Sequence, residues 1–241
     1  MDIKKLKEYI LSFIFTKRCR FCNKVCDIRE EICADCCEDI HTIDGEICFN
    51  CGCSKLACDK SEKKHFYESV CAPYYYEGAP KKSVLTLKHS DFSAIVGGLA
   101  HDMVQCVHKR YEGLYFDCCA FVPMHKDDEE ERGYNQAQLL AEKIAEELNI
   151  PCYNLLKKDY KTNNQHALPS IMRTGNLLGA ISYNEEESAN IDNMRILLCD
   201  DIKTTGCTLD ECTKTLLFKG CAEVRCVTAC IKANTTKEKH L

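Results

Sequence analysis

The 241-residue sequence predicts an α/β fold: a mostly parallel sheet flanked by helices, preceded by a small Cys-rich zinc ribbon. Three observations predict it. Cys-x2-Cys pairs recur at Cys19/Cys22, Cys33/Cys36 and Cys48/Cys51. From about residue 73, short apolar runs alternate with helix-length amphipathic stretches, the pattern of βαβ units. One apolar run ends in Asp200-Asp201 and a Thr/Gly loop. The expected division is residues 1–72 as a zinc-ribbon module and 73–241 as the α/β domain.

The first pairs are read as metal knuckles. A Cys-x2-Cys turn brings two thiolates to one ion, and a second turn completes a tetrahedron. Cys19, Cys22, Cys33 and Cys36 have that spacing, with Cys26 and Cys37 as spare thiols nearby. A second site would start from Cys48 and Cys51, with Gly52 supplying the turn. Cys58 supplies a third ligand, but position 61 is Ser, so Cys53, His65 or Cys71 would have to close it. With thiolate in every position the sites would be structural rather than catalytic. A redox pair is the weaker alternative, since such motifs open a helix after a strand and are not needed in tandem.

In the second segment, Ser69 to Tyr76 reads as an edge strand, and Lys82–Leu87 and Ala94–His108 as helical. Cys118 to Val122 is a buried strand stopped by Pro123. Asn135 to Leu148 places Ala137, Leu140, Ala141, Ile144, Ala145 and Leu148 on one helical stripe. Asn184 to Asn193 is a solvated acidic loop. Arg195 to Cys199 is a second buried strand, Thr208 to Lys219 a helix ended by Gly220, and Glu223 to Ile231 the last strand.

Composition excludes other classes. There are 21 cysteines, an odd number, in a chain long enough to bury a core without staples. The apolar run Tyr9–Phe15 is too short to span a bilayer, and no small-residue cleavage site follows it. Reduced thiols and a cytoplasmic protein without membrane insertion are therefore expected. Eleven cysteines fall in residues 1–71; the ten others, Cys207 excepted, sit among apolar residues and read as small core side chains. Net charge is −5, so no broad nucleic-acid surface is implied. Lys17, Arg18, Arg20 and Lys24 form the single basic group in the module.

The segment from Arg195 to Leu209 carries the chemistry. Ligands of open α/β sheets bind at the carboxyl ends of strands. Asp200 and Asp201 there could accept hydrogen bonds from a vicinal diol. Lys203 to Thr208 then offers backbone N–H groups, threonine hydroxyls and a helix N-terminus to an anion. A diol and a phosphate one loop apart describe a ribose 5-phosphate. The segment resembles the phosphoribosyl pyrophosphate (PRPP) motif of type I phosphoribosyltransferases. From about residue 19 to 231 the chain resembles the ComF (competence protein F) family, which joins an N-terminal double zinc ribbon to that domain. Val122-Pro123 with Glu131-Arg132-Gly133-Tyr134-Asn135-Gln136-Ala137 carries the resemblance too. So do Gln165 to Leu168 with Arg173 to Ala180, and Tyr76, Leu87 and Lys88.

The resemblance implies the type I phosphoribosyltransferase fold and a set of roles. Asp200 and Asp201 would hold the ribose hydroxyls as the catalytic pair. Lys203, Thr204, Thr205, Gly206, Cys207 and Thr208 would surround the 5′-phosphate. Arg132, Gly133 and Lys88 would lie near the rest of PRPP. Gln165, Arg173 and Asn176 would belong to a lid or acceptor pocket. Structural Zn²⁺ would sit on Cys19, Cys22, Cys33 and Cys36, and on Cys48, Cys51, Cys58 and Cys71. Mg²⁺ would arrive with PRPP. The implied function is phosphoribosyl transfer to an unidentified acceptor in DNA uptake. The alternative is a non-catalytic PRPP- or nucleotide-binding factor that contacts single-stranded DNA or a competence helicase.

Overall fold

The computed structural model describes residues 17–27, 29–58, 64–87, 93–159 and 179–233. A short helix, α1 (Ala34–Cys37), is the one regular element ahead of the sheet among these residues. Next come β1 (Ser69–Cys71), β2 (Tyr74–Tyr75), α2 (Gly78–Thr86) and α3 (Ser93–Arg110). They are followed by β3 (Cys118–Phe121), α4 (Lys126–Arg132), α5 (Gln136–Leu148) and β4 (Cys152–Tyr153). A hairpin of β5 (Leu156–Lys158) and β6 (Ile181–Tyr183) stands apart from the main sheet. The chain then runs through β7 (Arg195–Lys203), α6 (Cys207–Phe218) and β8 (Glu223–Ile231).

The main sheet is parallel in every pairing, in the order β1–β8–β7–β3–β4, with β2 continuing β1 along β8. β1 and β2 keep one register against β8; Pro73, which has no N–H, interrupts the ladder between them. The expected strand from Ser69 to Tyr76 is therefore present in two pieces. Because β1 lies before residue 73, the N-terminal segment contributes a strand to the sheet.

The buried strands are short apolar runs covered on both faces. β3 leads through α5 to β4 on one side, and β7 leads through α6 to β8 on the other. Parallel crossovers are right-handed, so α5 and α6 cover opposite faces of the sheet. The direction of winding reverses between β3 and β7. Their carboxyl ends form the crevice where such sheets bind ligands. α5 forms because its apolar stripe repeats at helical spacing and Asn135 caps it, accepting from the Ala137 N–H at 3.0 Å. Gly220, at φ +100°, ends the α6 region as the sequence predicts.

One apolar cluster runs from the Cys-rich segment through the sheet. Phe21 is fully buried with its ring edge-on to Tyr74. Arg20 donates to Asp102 on α3 at 2.9 Å, and the Tyr74 hydroxyl donates to the same carboxylate at 2.7 Å. Gly98 makes room for this: a Cβ there would lie 2.7 Å from the Arg20 stem. Gly52, at φ +80°, faces Ile231 and Val70 so closely that a Cβ would overlap the Ile231 side chain. The second knuckle is therefore seated on the sheet.

Candidate functional site

At the carboxyl end of β7 the ladder carries Asp200 opposite Thr228, and it continues through Lys203 opposite Ile231. Both aspartates thus belong to the strand. The Asp201 N–H donates to Asp200 Oδ1 at 2.8 Å. Burial, reinforced by the Asp201 charge, pushes the Asp200 carboxyl well above the usual range, with Lys158 of β5 opposing the shift. Two carboxylates held side by side in low dielectric attract a cation or hydroxyl donors.

After Lys203 the chain turns through Thr204, Thr205 and Gly206 into α6. Gly206 occupies the N-cap position at φ +79°, where it brings no side chain to satisfy the helix N-terminus. The Thr205 hydroxyl accepts from the Cys207 N–H at 3.4 Å. Thr204 is exposed, and Thr205, Cys207 and Thr208 are half-buried, so the loop is open to solvent on one side. The first N–H groups of a 12-residue helix at that position suit an anion. Lys203 is the member of the predicted set that differs. It ends β7 with its side chain buried at 2% exposure, and so belongs to the sheet, not to the open loop.

Arg132 and Gly133 lie beyond β3, whose last residue pairs with Cys199 just before Asp200. The acidic run before Arg132 forms α4, with three of its five acids in the first turn of the helix, where the dipole favours them. Gly133, at φ +85°, ends α4. The Arg132 guanidinium donates to Gln136 Oε1 at 3.0 Å and contacts Met124 Sδ. Lys88, Gln165, Arg173 and Asn176 lie outside the described residues, although Leu87, beside Lys88, is anchored by the Tyr134 hydroxyl at 2.6 Å. Sequence reasoning missed Lys158, whose charge acts on Asp200, and gave Tyr76 no site role, although burial and the Asp201 charge raise its hydroxyl. Their separation along the chain left no local signal.

The thiols of Cys19, Cys22, Cys33 and Cys36 all lie within 4.8 Å of one another. Cys22 Sγ and Cys33 Sγ are 3.6 Å apart, and the Cys33 N–H donates to Cys19 Sγ at 3.4 Å. Burial works to raise the Cys19 thiol, but backbone N–H groups of Cys33, Phe21 and Cys22 outweigh it and bring it down to about 6. Four thiols with that geometry fit tetrahedral Zn²⁺. Cys48, Cys51 and Cys58 form a second cluster, with Cys51 and Cys58 sulfurs 3.6 Å apart. Cys51 is drawn down to about 5, chiefly by Cys53. Cys71 does not join them. It lies fully buried on β1, where desolvation raises its thiol and Cys106 is its side-chain neighbour. The strand pairing that buries Cys71 turns it into the sheet core, which corrects its assignment as a ligand. His65 does not close the site either; its ring lies 3.6 Å from Asp210 on α6.

Three of the four residues of the basic group pair with carboxylates. Lys17 pairs with Glu31 at 3.6 Å, Lys24 with Asp35 at 3.3 Å and Arg20 with Asp102, while Arg18 donates to Asn23 O. Among the described residues, no helix is long and apolar enough to cross a membrane.

A reversal point carrying an aspartate pair, a glycine turn and an uncapped helix defines the class: a phosphoribosyltransferase-type domain. Residues 135–240 match the phosphoribosyl transferase domain family. The chain is 28% identical over 201 residues to Competence protein ComFC of Bacillus subtilis, covering 79% of this chain and 80% of that protein. It is 35% identical over 105 residues to Competence protein F of Haemophilus influenzae, where the match spans 43% of this chain and 45% of the relative. It is 28% identical over 205 residues to the DNA utilization protein YhgH of Escherichia coli O157:H7, covering 80% and 87%. A purine phosphoribosyltransferase from Pyrococcus horikoshii is a distant structural likeness, with TM-score 0.37 at 13% identity over 58% of this chain and 77% of that one. Over most of its length the chain is thus similar to competence and DNA utilization proteins, with a phosphoribosyl transferase domain behind a Cys-rich N-terminus.

Proposed function

We propose that this protein binds PRPP with Mg²⁺ and transfers its phosphoribosyl group to an acceptor in the handling of imported DNA. One observation carries the reading: Asp200 and Asp201 lie in the carboxyl-terminal half of β7 at the reversal of the sheet, shortly ahead of the Gly206 turn and the start of α6. The aspartates would accept hydrogen bonds from the ribose hydroxyls. Thr204 to Thr208 would receive the 5′-phosphate on backbone N–H groups and hydroxyls. Arg132 and Gly133, on the neighbouring loop, would face the pyrophosphate. Bound Mg²⁺ would supply charge neutralisation of the pyrophosphate, largely through substrate oxygens and water. The C1′–O bond to pyrophosphate would break with its electron pair leaving on pyrophosphate, while an acceptor lone pair forms the new bond to C1′. The chain's share is positioning and charge stabilisation. The role in DNA uptake rests on the names of the relatives.

Calorimetry with PRPP and Mg²⁺ tests the reading. Wild-type protein should bind, and the double variant Asp200→Asn/Asp201→Asn should lose at least about tenfold in affinity, as when charge-assisted hydrogen bonds are removed. No binding at millimolar PRPP, or equal binding by the variant, would sink it. Pyrophosphate release across a panel of bases and amines then reports the acceptor. Tight binding without release for any acceptor would favour a non-catalytic PRPP-binding role.

A further inference from the structure

The N-terminal segment reaches the phosphate loop directly. An ideal Cβ on Gly206 would lie 2.8 Å from the Tyr67 hydroxyl, 3.0 Å from His65 Cε1 and 3.2 Å from His65 Nε2. One edge of the imidazole therefore faces the loop's own turn. The ring is fixed on its other sides. It stacks on Tyr67 with centroids 4.7 Å apart and planes 13° apart. The backbone N–H of His65 donates to Asn50 Oδ1 at 3.3 Å, and the Tyr67 hydroxyl donates to Asn50 O at 3.1 Å. Nδ1 lies 3.6 Å from Asp210 Oδ1, in the first turn of α6. Burial works to raise the Asp210 carboxyl, but the His65 ring and the Phe66 N–H outweigh it and hold it below the usual value. Asp210 thus stands as a carboxylate beside Nδ1.

One atom is left over. The His65 side chain is 7% exposed, and Nε2 is buried with no hydrogen-bond partner among the described residues. A buried polar atom without a partner costs about 1–3 kcal/mol, and this one is aimed at the turn of an anion-binding loop.

We infer that His65 is a ligand of the phosphate monoester held by the Thr204–Thr208 loop, with Nε2–H donating to a phosphate oxygen. The inference rests on the proposed function and deepens it: the Cys-rich segment becomes part of the substrate site. It also explains why the glycine at 206 faces that segment, because any side chain there would displace the imidazole.

Calorimetry with ribose 5-phosphate and the full chain tests it, with inorganic phosphate and Mg-pyrophosphate as separate arms. His65→Ala should weaken ribose 5-phosphate about tenfold or more, the worth of one charge-assisted hydrogen bond. His65→Gln, which keeps an N–H donor, should recover most of it. Mg-pyrophosphate binding should be unchanged in both variants, because that group sits at the other end of the substrate. A parallel loss for inorganic phosphate would identify the bare phosphate as the group recognised; retention there would assign the effect to the sugar ester. Should either variant unfold, the wild-type ¹⁵Nε2 signal of His65 gives the answer: it should shift on adding ribose 5-phosphate. Equal affinity of wild type and His65→Ala, or an unmoved ¹⁵Nε2 signal in saturated protein, would overturn the inference and leave the PRPP reading intact. Failure of wild-type protein to bind either ribose 5-phosphate or PRPP would instead bring down the reading beneath it.

Discussion

The Cys-rich segment and the parallel sheet are held together by opposite means. Among the described residues, positions 17–58 contain one four-residue helix and isolated bridges, and their backbone hydrogen bonds are those of turns rather than of a ladder. Their order comes from thiols gathered at two points, where backbone N–H groups draw Cys19 down to about 6. The sheet orders itself through apolar strands and covering helices, and its cysteines are small core side chains. Burial pushes Cys118 and Cys152 up to about 12 and raises Cys199 and Cys226 well above the usual thiol range. One residue type thus gathers in a geometry that fits a metal in one region and serves as hydrophobe in the other. The local density of backbone donors and the solvent decide which.

The largest effect should come from metal removal. A structural zinc site contributes on the order of 10 kcal/mol to the order of its module. A strong chelator, or Cys19→Ser, should open residues 17–58 to protease while the sheet domain keeps its far-UV circular dichroism. Thiol reagents should then label the N-terminal cysteines ahead of Cys199 and Cys226. Simultaneous loss of both regions would show that they form one cooperative unit.

A smaller effect is expected at the seam. Arg20→Ala removes the cation from Asp102, which Tyr74 continues to contact. A partly buried charge left short of a partner costs about 2 kcal/mol, so thermal denaturation should show Tm lower by roughly 4–8 °C for a chain of this size. An unchanged Tm would mean that apolar packing of Phe21 alone joins the regions.

The smallest effect should have the opposite sign. Asp200 has a raised carboxyl in the folded state, so its stabilising contribution is fully present below the unfolded value and is lost as pH rises through the folded one. Asp200→Asn should therefore stabilise the ligand-free protein at pH 8, by about 1 kcal/mol. The gain should vanish near pH 4 and be accompanied by loss of PRPP binding. A site residue that destabilises its own fold is a mark of function. A lower Tm in the variant at pH 8 would remove that mark.

Much of this was legible in the chain. The last strand begins at Glu223 and ends at Ile231 as read, and the stripe of α5 needed no tertiary information because period and cap coincide at Asn135. The four thiols of the first cluster follow from local spacing. α4 was not read, because five consecutive acids look like a solvated loop until a helix N-terminus balances their charge. The pairing of β5 with β6 joins residues about two dozen positions apart through short, unremarkable segments. Lys203 reads as the first residue of the anion loop until the β7–β8 ladder extends to it and buries its side chain.

By itself the sequence determined the class of fold, the first thiol cluster and the segment that carries Asp200 and Asp201. Each is encoded in residues close together along the chain: period, spacing and turn chemistry act locally. Tertiary structure alone decided that Cys71 belongs to the core, that Arg20 serves Asp102, and that His65 stands against Gly206. Those outcomes depend on which distant surfaces the sheet brings into contact, and burial sets the chemistry of each side chain only after that contact is made.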